Sequence, residues 1–344
     1  MINNPTKFLF FMSLMGGTLI TISANSWFGA WMGLEINLLS FIPLMTSSSN
    51  LTTTEASLKY FLIQAIASAT LLYSVIIGTI LFNVNDSLYS PNLFLTTLIN
   101  TTLLLKTGAA PFHFWFPGVM EGLNWMNGLI LMTWQKIAPL MLLSYNIALN
   151  NFTISVIVAC MVIGSLGGLN QTSMRKILAY SSINHLGWMI AAITISDALW
   201  GLYFSMYVFL STAIIFIMNT FKIYHLNQIF SLNYINPQIK FAFFTTFLSL
   251  GGLPPFLGFL PKWMVIQTLS EMKFLFLISI MVVLTLITLF YYLRVTFSAF
   301  MLSYSESIWN MNYSLSTSTA VVASCLTMAS TFGLLLTPLL YQLL

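Results

Sequence analysis

Eleven apolar runs of bilayer length follow one another along this chain, at 7–24, 26–46, 58–83, 92–115, 126–146, 152–170, 174–195, 198–220, 239–270, 273–297 and 317–340. A hydrocarbon core takes about 20 helical residues to cross, and inside it only helices or closed barrels satisfy every backbone polar group. The runs are span-length, so the expected fold class is an all-α polytopic membrane protein with eleven transmembrane helices. Only 5% of residues are charged and the mean hydropathy is +0.90, where soluble domains carry roughly a quarter charged residues. One membrane domain over 1–344 is expected, with the polar stretches 47–56, 83–91, 221–237 and 303–316 as turns.

Counting crossings assigns each loop charge to a side. With the N-terminus on side A, Lys7, Lys59, Arg175, Lys176, Lys222, Lys240 and Arg294 fall on side A, and Lys273 falls on side B. Basic loops mark the cytoplasmic side, or its equivalent the mitochondrial matrix, so the N-terminus is expected there. Three basic residues are left over, Lys106, Lys136 and Lys262, all within apolar runs. A fourth charge in such a setting is Glu35, in GAWMGLEINLLSF. A charge at membrane depth costs at least a few kcal/mol, and such groups line ion or proton paths.

The two cysteines, Cys160 and Cys325, lie in different runs and form no CxxC pattern, so neither a disulfide framework nor a zinc site is expected. The first run is longer than a signal peptide's apolar core and lacks a small-x-small cleavage site, so it reads as a retained helix. Richness in Phe, Ile, Leu, Met, Asn and Tyr, with only two arginines, fits an AT-rich, organelle-encoded gene.

A weak internal repeat carries further information. Gly108-Ala-Ala-Pro111-Phe112-His-Phe-Trp115-Phe-Pro117 and Gly252-Leu-Pro-Pro255-Phe256-Leu-Gly-Phe259-Leu-Pro261 share G-x-x-P-F-x-x-aromatic-x-P. The copies sit in the fourth and ninth runs, and an odd offset implies opposite orientations, as in an inverted-topology repeat. Proline inside a helix removes a hydrogen bond and clashes with the preceding turn, so Pro111, Pro254, Pro255 and Pro261 are expected to break their helices. Broken backbone at membrane depth must be buried in protein or line a polar cavity, and Gly/Pro-interrupted segments at matching places in two halves point to a transporter's ion site. Simple kinking is the structural alternative.

Lys106 lies about a turn before the first break. Lys136 is central in GLILMTWQKIAPLMLLSY, with Pro139 expected to kink that helix. Lys262 follows Pro261 at the second break, and Asn37 stands near Glu35. Burial disfavours the charged form of lysine, whereas a carboxylate favours it. A unit pair about 4 Å apart at an effective dielectric of about 20 is worth about 4 kcal/mol, enough to swing a desolvated lysine between its charged and neutral forms. One acid and three bases on four helices therefore suit a gated proton relay. Packing ion pairs, or snorkelling of Lys262 to the interface, are the alternatives. His185, in AYSSINHLGWM beside Ser181, Ser182 and Asn184, extends the polar path or is a satisfied core histidine; His113 falls in the first break and His225 in a loop. No histidine pair has haem or metal spacing, and no nucleotide-binding or nucleophile motif occurs, so bond chemistry on this chain is not expected.

The segments LLLKTGAAPFHFWFP, MTWQKIAPL, AYSSINHLGWM and GGLPPFLGFLPKW closely resemble those of the mitochondrial NADH:ubiquinone oxidoreductase chain 2 family, antiporter-like membrane subunits of respiratory complex I. The resemblance covers essentially the whole chain, and the composition is similar to insect members. It implies two inverted five-helix repeats, here 1–150 and 151–300, followed by a loop and helix at 301–344. It also implies a proton relay in which Glu35 and Lys106 form a modulating pair, Lys136 is the central site and Lys262 the exit-side site. Gly118 and Val119 depart from the bulkier or acidic residues expected after Pro117. By the same resemblance FMN, iron–sulfur clusters and ubiquinone belong to partner subunits, with no cofactor or metal on this chain. The partners implied are the other membrane-arm subunits, accessory subunits and phospholipids including cardiolipin, with no nucleic acid. The location implied is the mitochondrial inner membrane. A stand-alone cation/proton antiporter is a second reading, though Glu35 is the sole intramembrane carboxylate it has to offer. A structural subunit without transport is the third.

Overall fold

The computed structural model describes residues 5–47, 50–82, 93–230, 237–301 and 317–343. The turns expected at 83–91 and 303–316 lie outside them. The described residues form helices joined by turns, with one isolated bridge between Ser173 and His225. Among the described residues six helices are long and apolar enough to cross a membrane by length and composition.

The chain divides into two compact units, Met1–Cys160 and Met161–Leu344. The first holds α1 (Pro5–Ser23), α2 (Trp27–Met45), α3 (Leu51–Phe82), α4 (Leu93–Thr107), α5 (Trp115–Gly122), α6 (Trp125–Met132) and α7 (Trp134–Ser144). Here α1 lies along α2, α3 packs against α2, α4 and α5, and α7 touches α1, α2, α4 and α6. The helix α8 (Asn151–Leu169) carries the division. The second unit continues with α9 (Met174–Ile193), α10 (Asp197–Phe221), α11 (Leu226–Phe230), α12 (Pro237–Gly251), α13 (Phe259–Glu271), α14 (Leu275–Met301) and α15 (Thr317–Leu343). There α10 packs against α9, α12, α13 and α15.

Hydroxyl-rich sequence is absorbed by the helices themselves. Thr53, Thr54 and Ser57 donate to the carbonyls of Asn50, Leu51 and Thr54 at 2.8, 2.8 and 2.7 Å, which satisfies them without leaving the helix. Lys59 pairs with Glu55 one turn earlier at 2.6 Å. The polar stretch read as a turn at 47–56 is therefore largely the start of α3. Similarly, α11 occupies part of the stretch 221–237.

The interruptions fall where backbone sterics, more than proline, put them. At the first break Gly108 has φ +75°, its amide donates to Leu105 O at 3.3 Å, and that of Ala109 donates to Leu104 O at 3.1 Å. At the second, Gly252 has φ +81°, with Gly252 N to Ser249 O at 3.0 Å and Leu253 N to Leu248 O at 3.4 Å. Both are Schellman caps with glycine at the left-handed position. The match continues past the cap, since Phe112 N donates to Ala109 O and Phe256 N to Leu253 O. Pro111, Pro254 and Pro255 lie between the half-helices. Pro261 does not break a helix, contrary to expectation, and neither does Pro117: each is the third residue of its helix, α13 or α5, where the missing N–H is one a first turn leaves unpaired anyway.

The fifth apolar run also differs from expectation. Pro139 sits inside α7, and the interruption comes earlier, at Thr133 (φ −111°, ψ −72°), which separates α6 from α7. The Thr133 hydroxyl donates to Leu129 O at 2.7 Å, closing off α6, and Lys136 N bonds Thr133 O at 3.2 Å as α7 begins.

Candidate functional site

In the first unit four helices bring polar groups to one cavity. Asn37 comes from α2, which also carries Glu35 outside the lining; Tyr60 and Gln64, one turn apart on one face, come from α3; Lys106 and Thr107 end α4; Gln135 and Lys136 open α7. Asn37, Tyr60, Gln64, Lys106, Gln135 and Lys136, with Trp115 and Phe116 from α5, line one small cavity. Lys106 and Lys136 are buried, at 6% and 1% exposure.

Neutral side chains tie this wall together. Gln135 Nε2 donates to Asn37 Oδ1 at 2.9 Å, and Tyr60 donates to Gln135 Oε1 at 3.3 Å. Gln64 Nε2 donates to Lys106 O at 3.1 Å and Trp115 Nε1 to Leu105 O at 3.2 Å, so two carbonyls at the end of α4 gain partners from outside the helix. In the break itself, Cys160 Sγ takes the amide proton of Ala110 at 3.2 Å. Lys136 Nζ lies 5.3 Å from the centre of the Phe116 ring, a cation–π arrangement. The Glu35 carboxylate acts on the Lys106 ammonium through space, but no ion pair within 4.0 Å joins them. Glu35 Oε2 is buried and accepts no hydrogen bond.

In the second unit Lys262, 7% exposed, lies in the first turn of α13 and returns to the end of α12, where its Nζ donates to Gly251 O at 2.8 Å. His185, 8% exposed on α9, shares a hydrogen bond between Nδ1 and the Tyr203 hydroxyl at 2.9 Å. His185, Tyr203, Tyr207, Leu250 and Pro261 line a smaller cavity.

The structure thus brings Lys106 and Lys136 to one cavity, with Glu35 on a wall-forming helix though not in the lining. It brings His185 to a cavity edged by Pro261, the neighbour of Lys262. His113 is buried with Nδ1 3.2 Å from Pro111 O. Tyr60, Gln64, Gln135, Tyr203 and Tyr207 were not singled out by sequence. Their only linear signals are the one-turn spacing of Tyr60 with Gln64 and of Tyr203 with Tyr207, and the adjacency of Gln135 to Lys136. Among the described residues no group of three or more His, Cys, Asp or Glu could hold a metal ion.

Comparison with known proteins agrees with this architecture. Residues 24–288 match the family described as NADH:quinone oxidoreductase/Mrp antiporter, TM, and residues 289–341 match NADH dehydrogenase subunit 2 C-terminus. NADH-ubiquinone oxidoreductase chain 2 of Anopheles gambiae is 57% identical over 97% of both chains, and that of Aedes aegypti 58% identical over 98% of both. In fold, the chain is similar to one in respiratory complex I from Thermus thermophilus (TM-score 0.85, 24% identity, 98% of this chain and 81% of that one). It is also similar to one in the Mrp complex from Dietzia (TM-score 0.83, 17% identity, 96% and 75%). With that family match over most of its length and that identity to insect relatives end to end, the chain belongs to the NADH-ubiquinone oxidoreductase chain 2 family, the antiporter-like membrane subunits of respiratory complex I.

Proposed function

We propose that this chain, a proton-translocating membrane subunit of NADH:ubiquinone oxidoreductase by family, carries protons through Glu35, Lys106, Lys136, His185 and Lys262. The observation that carries the reading is the cavity shared by the buried Lys106 and Lys136. Two amines that reach one polar space can exchange a proton through it: one N–H bond breaks as another forms. Glu35 supplies the bias. Its carboxylate acts on Lys106 without touching it, so a small change in the α2–α4 spacing alters how strongly the ammonium is held, by an amount set by Coulomb's law in a poorly screened interior.

The topology proposed with it is eleven spans, with inverted repeats at 1–150 and 151–300, a C-terminal loop and helix at 301–344, and the N-terminus on the matrix side of the mitochondrial inner membrane. The matching caps at Gly108 and Gly252 support the repeat, and the side-A bias of loop charges supports the orientation. In this reading the other complex I subunits are partners, and accessory subunits and phospholipids including cardiolipin surround it. FMN, iron–sulfur clusters and ubiquinone are held by partner subunits.

The test is Lys136→Met at the corresponding position of a genetically tractable relative, with the assembled complex in proteoliposomes and NADH oxidation and proton uptake followed together. Normal assembly with both activities reduced is expected. Assembly, turnover and uptake all at wild-type level would remove Lys136 from the path.

A further inference from the structure

The smaller cavity carries a second observation that the charged residues do not account for. Tyr203 and Tyr207, one turn apart on the same face of α10, are 1% and 4% exposed, and Tyr291 and Tyr292 of α14 are 2% and 1% exposed. Packing alone would be served by phenylalanine, of which the chain has 29, without the cost of burying a hydroxyl. Two of these tyrosines, Tyr203 and Tyr207, line the cavity together with one histidine. Tyr203 OH lies 2.9 Å from His185 Nδ1, and the Tyr207 ring centre lies 5.2 Å from that of His185. Behind them stand Ser182, next to the Tyr207 hydroxyl, and Ser181, next to that of Tyr292. Both serines spend their own protons on carbonyls of α9, Ser181 on Leu178 O at 2.8 Å and Ser182 on Ala179 O at 2.7 Å, so neither has a proton left to give a tyrosine.

The far side of the cavity is edged by Leu250 and Pro261. Leu250 precedes Gly251, whose carbonyl takes the Lys262 hydrogen bond, and Pro261 precedes Lys262 itself. We infer that Tyr203 and Tyr207 are relay residues that hand the proton between His185 and the helix break holding Lys262. A phenol does this without ionising. The Nδ1–H bond of a protonated imidazole breaks as an O–H bond forms on Tyr203, the original Tyr203 O–H bond breaks as its proton passes to the Tyr207 hydroxyl oxygen, one turn along, the Tyr207 proton in turn passes towards the neutral amine of Lys262, and rotation of the hydroxyls resets them. This rests on the reading of the chain as a proton path through His185 and Lys262.

The test is Tyr203→Phe and Tyr207→Phe, each alone and combined with His185→Gln, in the assembled complex of a tractable relative, with Lys136→Met alongside. Rates are taken per assembled complex. Each phenylalanine variant is expected to assemble, to lose about tenfold in coupled proton uptake, and to show a larger solvent deuterium isotope effect on turnover. Tyr203→Phe should add nothing to His185→Gln. Uptake and isotope effect at wild-type level in both variants would overturn the inference, and so would loss of assembly in both, which a packing role predicts. If Lys136→Met lowers uptake while the tyrosine variants do not, only this inference falls; if Lys136→Met is also silent, the relay reading falls with it.

Discussion

Lys262 donates to the carbonyl of Gly251 at 2.8 Å, and it does so across the missing side chain of Gly252. The last carbonyls of α12 have no partner within the helix, and a cation there meets the negative end of the helix dipole. A Cβ on Gly252 would stand 2.9 Å from both Cδ and Nζ of Lys262. The same glycine therefore ends the helix and makes room for the lysine that caps it.

Gly252→Ala should consequently do more than Gly108→Ala. Both place a side chain at positive φ, at about 1–2 kcal/mol, but the Cβ at Gly108 would meet Phe116 and Trp115 rather than a lysine. Proton uptake per assembled complex should fall further in Gly252→Ala. Equal uptake in the two variants would mean that the seat of Lys262 does not matter to transport.

Gln135→Met removes both links of the polar wall, leaving Asn37 Oδ1 and the Tyr60 hydroxyl without this partner. A buried polar group stripped of its partner costs about 1–3 kcal/mol. The temperature at which the complex dissociates should drop, and a double-mutant cycle with Tyr60→Phe should show coupling of about 0.5–3 kcal/mol. Strict additivity would count against the wall.

Cys160→Ala takes the acceptor from the buried amide of Ala110, again at about 1–3 kcal/mol. Cys160→Ser keeps an acceptor on the same stem. Heat stability is expected to rank wild type, then serine, then alanine, and an alanine variant as stable as wild type would show that the amide finds another partner.

Gly33→Ala tests the seam between α1 and α2. Its Cβ would lie 2.6 Å from Thr21 Cγ2, 2.8 Å from Thr21 N and 2.9 Å from Gly17 O. Backbone atoms cannot turn aside, so the helices must part, at a cost of about 1–3 kcal/mol for overpacking. Gly16→Ala, with nothing within 4 Å of its Cβ, is the matched control. Complex abundance should fall for the first and hold for the second.

Much of the helix plan was legible in the chain because it depends on length and local sterics. The first two apolar runs, 7–24 and 26–46, became α1 and α2 nearly residue for residue. Gly108 and Gly252, aligned by motif, both adopt positive φ, a conformation that strongly favours glycine. Pro261 misled, because a proline's effect depends on its place relative to the helix start: it falls in a first turn, whereas the break in the fifth run comes at Thr133, ahead of Pro139, which lies inside α7. The charged site residues stood out because a lone charge in an apolar run is conspicuous; Gln135, Tyr60 and Tyr203 did not, because neutral polar residues are scattered through many of the helices.

By itself, then, the sequence determined the all-helical membrane class, the two interrupted spans at Gly108 and Gly252 and the placing of Lys106, Lys136 and Lys262 within apolar runs, since hydropathy and φ restriction act on each residue where it stands. Only the tertiary structure decided which polar groups meet. Gln135 reaches Asn37 98 positions away, His185 finds Tyr203 on the next helix, and α9, with Ser181, Ser182, Asn184 and His185 in its middle, is buried along almost its whole length. Those outcomes depend on how each helix is rotated against its neighbours, and packing of whole faces sets that rotation where residue spacing does not.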